Sequence, residues 1–218
     1  MDATENRIKT TKTARFYQLG TLSPGTKLVI FALHGYGQLA SYFIKHFEAL
    51  ADAETVILAP EGLSRFYLDG KWDRVGATWM TKEDRLFEIE DHVEFLNRLQ
   101  AMVQEQAPNI LETIILGFSQ GTATAWRWVM KGNVAPDQLI LWAGSLPLDT
   151  LEKAAEKLKN CDLHFVLGDN DEFIRISDAE KQMEKLRTIQ PNARFWTFDG
   201  EHRMDAPTLS KIFESFGT

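Results

Sequence analysis

Ser119 lies in Gly117-Phe118-Ser119-Gln120-Gly121, a Gly-x-Ser-x-Gly pattern that follows the apolar run Thr113-Ile114-Ile115-Leu116 and opens a stretch rich in Thr, Ala and Trp. A strand that bends sharply into a helix crowds the residues two positions before and after the bend, and glycine relieves that crowding. Such a turn raises a serine hydroxyl above the sheet edge. The first free amides of the new helix point at the same spot, where they can hold negative charge. A Gly/Ser turn can also be no more than a turn, so chemistry here requires partners elsewhere in the chain.

A serine hydroxyl is too weak an acid to attack a carbonyl unaided and needs a base within hydrogen-bond reach. Imidazole suits that task near neutrality, provided a carboxylate holds its other nitrogen and fixes the tautomer. Of the five histidines, only His202 falls in a loop after the last apolar run, in Asp199-Gly200-Glu201-His202. His34 precedes a glycine pair and is expected to shape that turn; His46 and His92 fall in helical stretches, His92 as a partly exposed residue. His164 sits inside a strand, where a core histidine is expected. For the acid, Asp169 and Asp171 both qualify in Gly168-Asp169-Asn170-Asp171. Asp169 follows the strand so closely that it could simply turn the chain, while Asp171 stands further into the loop. The oxyanion formed on attack needs two fixed donors. The backbone N–H of Gln120 is expected as one and that of Tyr36, in His34-Gly35-Tyr36-Gly37, as the other.

These groups must be carried by elements that bring them together. Lys27 to Leu33, Thr55 to Ala59, Thr113 to Leu116, Gln138 to Ala143, Leu163 to Leu167 and Ala193 to Phe198 read as strands, with Arg15 to Leu19 an alternating edge strand. Helices are expected at 40–51, 84–106, 121–131, 149–159, 175–189 and 206–216. The second of these carries a stripe of Leu86, Ile89, Val93, Leu96, Leu99 and Val103, with Thr81 as its cap. Residues 61–84 read as a long loop bearing Phe66, Tyr67, Trp72 and Trp79; loops of that length are uncommon unless functional or disordered, and the aromatics argue against disorder. Strands alternating with helices predict one α/β domain over 1–218, a mainly parallel sheet with helices on both faces and no large cap domain. Residues 1–12 are expected as a flexible or peripheral terminus. In such a sheet the four polar motifs that follow apolar runs gather at one edge, in the chain order Ser, Asp, His of an α/β-hydrolase.

Composition narrows the partners. The chain has 218 residues, 44% hydrophobic and 25% charged, and a formal net charge of −7 with no basic patch, which argues against a nucleic-acid or anionic-membrane partner. The single cysteine, Cys161, excludes an intrachain disulfide framework and is expected as a buried, inert thiol. The polar start of the chain lacks the apolar core of a signal peptide, and no run is long enough to cross a membrane, so a cytoplasmic location and no stable membrane insertion are expected. No cofactor or metal is called for by the motifs.

With these residues assembled, the chain resembles the phospholipase/carboxylesterase branch of the α/β-hydrolases, which includes acyl-protein thioesterases. The likeness runs from about Leu28 to the end on Leu33-His34-Gly35-Tyr36-Gly37, Gly117 to Gly121, Gly144-Ser145-Leu146-Pro147, Gly168-x-x-Asp171-x-x-Ile174 and Gly200-x-His202. The resemblance implies Asp171 as the acid rather than Asp169. It also implies a small-molecule acyl ester as substrate. Trp79 and Leu146 are expected at the substrate-binding surface, Trp79 as one of the loop aromatics Phe66, Tyr67, Trp72 and Trp79 that could line an acyl pocket or simply anchor the loop to the core. Two departures stand out: acyl-protein thioesterases usually carry an aspartate soon after the His-Gly pair, where this chain has Gln38, and a Trp-Phe-Asp segment where it has Thr78-Trp79-Met80. The expectation is therefore a serine hydrolase of short to medium acyl esters. The alternatives are a thioesterase or lysophospholipase acting on longer chains, and a non-catalytic ligand-binding protein on the same scaffold.

Overall fold

The apolar runs become strands of one sheet in the computed structural model, which describes residues 3–217. β1 (Phe16–Leu19) and β2 (Leu28–Leu33) come first. The helix expected at 40–51 is a single α-turn, α1 (Ala40–Phe43), that tightens into a 3-10 helix over Ile44–Leu50 before β3 (Thr55–Pro60). The long loop expected at 61–84 is instead largely a hairpin of β4 (Ser64–Tyr67) and β5 (Val75–Thr78), paired antiparallel. There follow α2 (Arg85–Gln106), β6 (Glu112–Phe118), α3 (Gln120–Lys131) and β7 (Gln138–Trp142). A 3-10 turn over Leu148–Lys153 runs into the short α4 (Ala154–Lys157). The chain closes with β8 (Asp162–Gly168), α5 (Ile176–Ile189), β9 (Arg194–Phe198) and α6 (Ala206–Glu214).

The sheet order is β1-β3-β2-β6-β7-β8-β9, with β1 antiparallel at one edge and the others parallel. From β2 the chain winds towards β3, and from β6 it winds the other way towards β7. The two central strands are therefore neighbours whose connections diverge, which opens a crevice above their carboxyl ends. Register sharpens this. Leu33 of β2 pairs with Gly117 of β6, so the turns after these strands, carrying Tyr36 and Ser119, start side by side. At the far edge Gly168 pairs with Phe198, which sets the Asp171 loop beside the His202 loop. β2 and β6 are buried on both faces, as continuous apolar strands between helical layers must be.

Three local expectations change. His92, expected to be partly exposed, is fully buried with its ring edge-on to Trp79, because the inward face of α2 takes in positions 89, 92, 93 and 96 together. Leu86 lies outside that face and is exposed. The residue that caps α2 is Asp84, in left-handed backbone at φ 49, rather than Thr81. Cys161 is buried, and burial pushes its thiol up to about 12. Residues 3–12 form no helix or strand and run exposed along α2, where Arg7 lies 2.6 Å from Asp84 and over the Phe87 ring; Met1 and Asp2, part of the expected terminus, lie outside the described residues. Glu61, with a fully buried side chain, accepts from Arg15 at 2.7 Å, from Arg65 at 2.6 Å and from the Ala40 amide at 3.3 Å. That carboxylate ties β1, the hairpin and the start of α1 together. No helix among the described residues is long and apolar enough to cross a membrane.

Candidate active site

Ser119 sits between β6 and α3 at φ 54 and ψ −117, a backbone conformation that costs a non-glycine residue of order 1–3 kcal/mol and persists where the surroundings impose it. The imposing contacts are visible. Its amide donates to Trp142 O at 2.8 Å, and Thr122 Oγ1 reaches both Gly117 O at 2.8 Å and Trp142 O at 2.9 Å. The two glycines are required: a Cβ on Gly117 would come within 2.2 Å of Gly121 O, and one on Gly121 within 2.1 Å of Leu33 O.

The turn after β2 approaches this elbow closely. A Cβ on Gly35 would stand 3.1 Å from the Ser119 Cβ. Most of the turn's amides are committed: Gly35 N–H to Gln38 Oε1, Gly37 N–H to Ala77 O and Gln38 N–H to Gly35 O. Among the described residues the amide of Tyr36 has no such acceptor. Gln120 opens α3, so its amide is one of those that no turn of the helix satisfies. The Gln120 side chain is fixed, accepting from Thr78 Oγ1 and from Trp79 N, each at 3.0 Å, and donating to Met80 O at 2.8 Å.

His202 Nδ1 lies 2.7 Å from Asp171 Oδ2, and the Asp171 side chain is fully buried. The other oxygen, Oδ1, accepts from the amides of Phe173 and Ile174 at 2.9 Å, so the carboxylate is held on both sides. Asp169 is exposed, with its amide donating to Phe198 O, and serves the turn. His202 is packed between two rings: Phe118, the residue before Ser119, at 5.0 Å, and Phe173 at 4.7 Å. The other histidines are placed otherwise. His34 and His164 are fully buried, and burial pushes both below the ordinary imidazole range, His164 to about 4.

Trp79, expected on the substrate surface, is 2% exposed. It stacks on His34 and donates its indole N–H to His34 O at 2.9 Å, so it stands behind the turn and anchors the hairpin exit to the core. Leu146 lies in the loop after β7, 8% exposed, with its amide donating to Gln182 Oε1 at 2.9 Å. Sequence reasoning missed the Gln120 side-chain clamp, which shows no local pattern because its partners lie about forty positions earlier in the chain. It also missed Phe173, whose exposed ring was legible only as one apolar letter between charged ones.

The family described as phospholipase/carboxylesterase matches residues 21–217. Among solved structures, acyl-protein thioesterase 2 of Zea mays aligns with a TM-score of 0.72 at 17% identity, covering 94% of this chain and 98% of that one. Esterase PE8 aligns at 0.67 and 20% identity over 94% of this chain and 99% of its own. A phospholipase/carboxylesterase from Dyadobacter fermentans DSM 18053 aligns at 0.63 and 15% identity, over 96% and 99%. No curated protein sequence matches. At these identities the structural likeness is one of fold, and the family match carries the assignment: the chain belongs to the phospholipase/carboxylesterase family of α/β-hydrolases.

Proposed function

We propose that the chain is a carboxylesterase in which Ser119 is the nucleophile, His202 the general base and Asp171 the carboxylate that orients it. The observation that carries this reading is the serine in its strained elbow together with a His202–Asp171 pair closed at 2.7 Å, its imidazole packed on the ring of Phe118, the residue before the serine. As Ser119 Oγ attacks the ester carbonyl, His202 Nε2 takes its proton. Asp171 keeps the Nδ1 proton in place and balances the imidazolium. The carbonyl oxygen, now an anion, lies against the amides of Tyr36 and Gln120. Collapse expels the alcohol, which leaves with the proton from His202, and Ser119 remains acylated. Water then gives up a proton to His202 and attacks the acyl carbonyl; the Ser119 Oγ–acyl bond breaks, Oγ takes the proton back from His202, and the acid leaves. Nucleophile, base and oxyanion donors all come from the chain, so the scheme is complete without a metal or cofactor.

The substrate in this reading is a small-molecule ester of short to medium acyl chain, with Leu146 at the acyl side. A second reading, action on longer acyl chains as a thioesterase or lysophospholipase, is favoured by apolar surface beside the Tyr36 turn. Tyr36, Tyr42, Leu68 and Val75 are all exposed there, and a cavity of about 500 Å3 opens between the turn, α1 and the hairpin. Labelling with a fluorophosphonate followed by peptide mapping tests the common core of both readings. The adduct is expected on Ser119; a protein that stays unlabelled, or is labelled elsewhere, overturns it.

A further inference from the structure

We propose that Trp79 is a positioning residue that holds the two oxyanion donors in register with one another. The inference rests on the reading in which Ser119 attacks an acyl carbonyl between the Tyr36 and Gln120 amides. Those amides belong to different strand ends; Gly121 packs on the Leu33 and His34 carbonyls, which sets the two backbones close, but the direction of each amide also depends on what holds the Gln120 side chain and the Gly35–Tyr36 peptide.

Trp79 reaches both. On one side its backbone N–H donates to Gln120 Oε1 at 3.0 Å, and the same side chain is held by Thr78 Oγ1 and Met80 O. Three consecutive residues thus grip the side chain of the residue whose own amide opens α3. On the other side the indole N–H donates to His34 O at 2.9 Å, and the indole stacks on the His34 imidazole, centroids 5.1 Å apart and planes 29° from parallel.

His34 carries the constraint onward. Gly62 N–H donates to His34 Nε2 at 3.0 Å, so that nitrogen is an acceptor and the ring proton sits on Nδ1. Nδ1–H therefore donates to Gly35 O, 2.7 Å away. The Gly35–Tyr36 peptide is trans, so the Tyr36 N–H points opposite to the Gly35 carbonyl. Fixing one fixes the other. Burial keeps His34 neutral, pushing it below the ordinary imidazole range. The backbone just before Trp79 also engages the turn, through Gly37 N–H to Ala77 O and Ala77 N–H to Gln38 O. Trp79 is therefore one step from each donor: through Gln120's side chain to Gln120's amide, and through His34 to Tyr36's.

The test compares Trp79→Phe with Trp196→Phe, which removes an indole hydrogen bond to His164 at the opposite edge of the sheet. Each variant is assayed for kcat and KM on p-nitrophenyl butyrate and for inhibition by a trifluoromethyl ketone. That ketone adds Ser119 Oγ to its carbonyl carbon, passes the hydroxyl proton to His202 and presents the oxyanion. Trp79→Phe is expected to lower kcat about tenfold with KM little changed, and to weaken the ketone by the same factor, since losing a whole donor costs about 100- to 1000-fold. Trp196→Phe should change neither. Kinetics at parental level in Trp79→Phe, an unchanged ketone affinity beside a lowered melting temperature, or an equal loss in Trp196→Phe would each overturn the proposal. Should Trp79→Phe fail to fold, Gln120→Leu keeps the Gln120 amide and cuts the tie to Trp79; it must show the same paired loss, and parental kinetics there overturn the proposal. A parent that neither hydrolyses esters nor takes up fluorophosphonate overturns the Ser119 reading and this one with it, whereas an active parent with an unimpaired Trp79→Phe overturns this one alone.

Discussion

Asp171 holds His202 through a 2.7 Å contact while its second oxygen takes the amides of Phe173 and Ile174, so the carboxylate is locked by its own loop before it meets the imidazole. Asp169, two residues earlier, is exposed and its amide turns the chain. This difference gives a discriminating pair of variants. Asp171→Asn should lower kcat on p-nitrophenyl esters by roughly 1000- to 10,000-fold, because an amide favours the wrong imidazole tautomer. Asp169→Asn should leave kcat essentially unchanged. Equal losses in the two would contradict the assignment of the acid.

His164 predicts an acid-sensitive stability. It is buried between Trp196, whose indole N–H it accepts at Nδ1, and Gln138, reached from Nε2 at 3.1 Å. Burial and then Arg194 push it down from 6.5 to about 4, against an opposing pull from Asp162. The unfolded chain therefore binds the proton first as pH falls, and the stability that neutral His164 contributes is complete above pH 6.5 and lost towards pH 4. His34 and His92, also lowered by burial, act in the same direction. Melting temperatures of the parent should fall between pH 7 and pH 4.5, and His164→Gln, which can keep both partners, should fall less steeply. Parallel curves would remove His164 from the account.

Glu61 is a buried carboxylate that would be costly without its cations. Burial raises it, but the guanidinium groups of Arg15 and Arg65 outweigh that and hold it below the usual carboxylate range. Glu61→Gln leaves two arginines facing a neutral amide. Both arginines are partly exposed, so the expected loss of unfolding free energy in urea lies at the lower end of about 3–5 kcal/mol. A loss under about 1 kcal/mol would place this cluster with ordinary surface ion pairs.

Chain length separates the two substrate readings. If the cavity beside the Tyr36 turn receives acyl chains, kcat/KM should rise from acetate to octanoate p-nitrophenyl esters, and Leu68→Ser should flatten that rise. A peak at acetate or butyrate, untouched by Leu68→Ser, favours the short-chain reading.

Much of this was legible in the residues. The strands were visible because a parallel sheet covered on both faces needs unbroken apolar runs, and Thr113 to Leu116 or Leu163 to Leu167 can be little else. The motifs at their ends followed from topology, since strands running one way deliver their exits to one edge. The hairpin was missed because its strands are four residues each: Ser64–Tyr67 alternates between partly buried and exposed too briefly to stand out from a loop, and Val75–Thr78 is a short run of small residues. Trp79 could not be placed from its own surroundings in the chain. Its partners, His34 and Gln120, lie about forty positions away on either side, and only the fold decides whether an aromatic faces substrate or core. His92 shows the converse: its spacing from Ile89 and Leu96 places it on the buried face, and its polarity obscured that.

The central claim is that Ser119 forms the acyl-enzyme, and the most direct measurement is kcat/KM of Ser119→Ala on p-nitrophenyl butyrate beside the parent, with both shown folded by circular dichroism. A loss of at least about 1000-fold with the fold intact is expected. Activity remaining within about tenfold of the parent would contradict it.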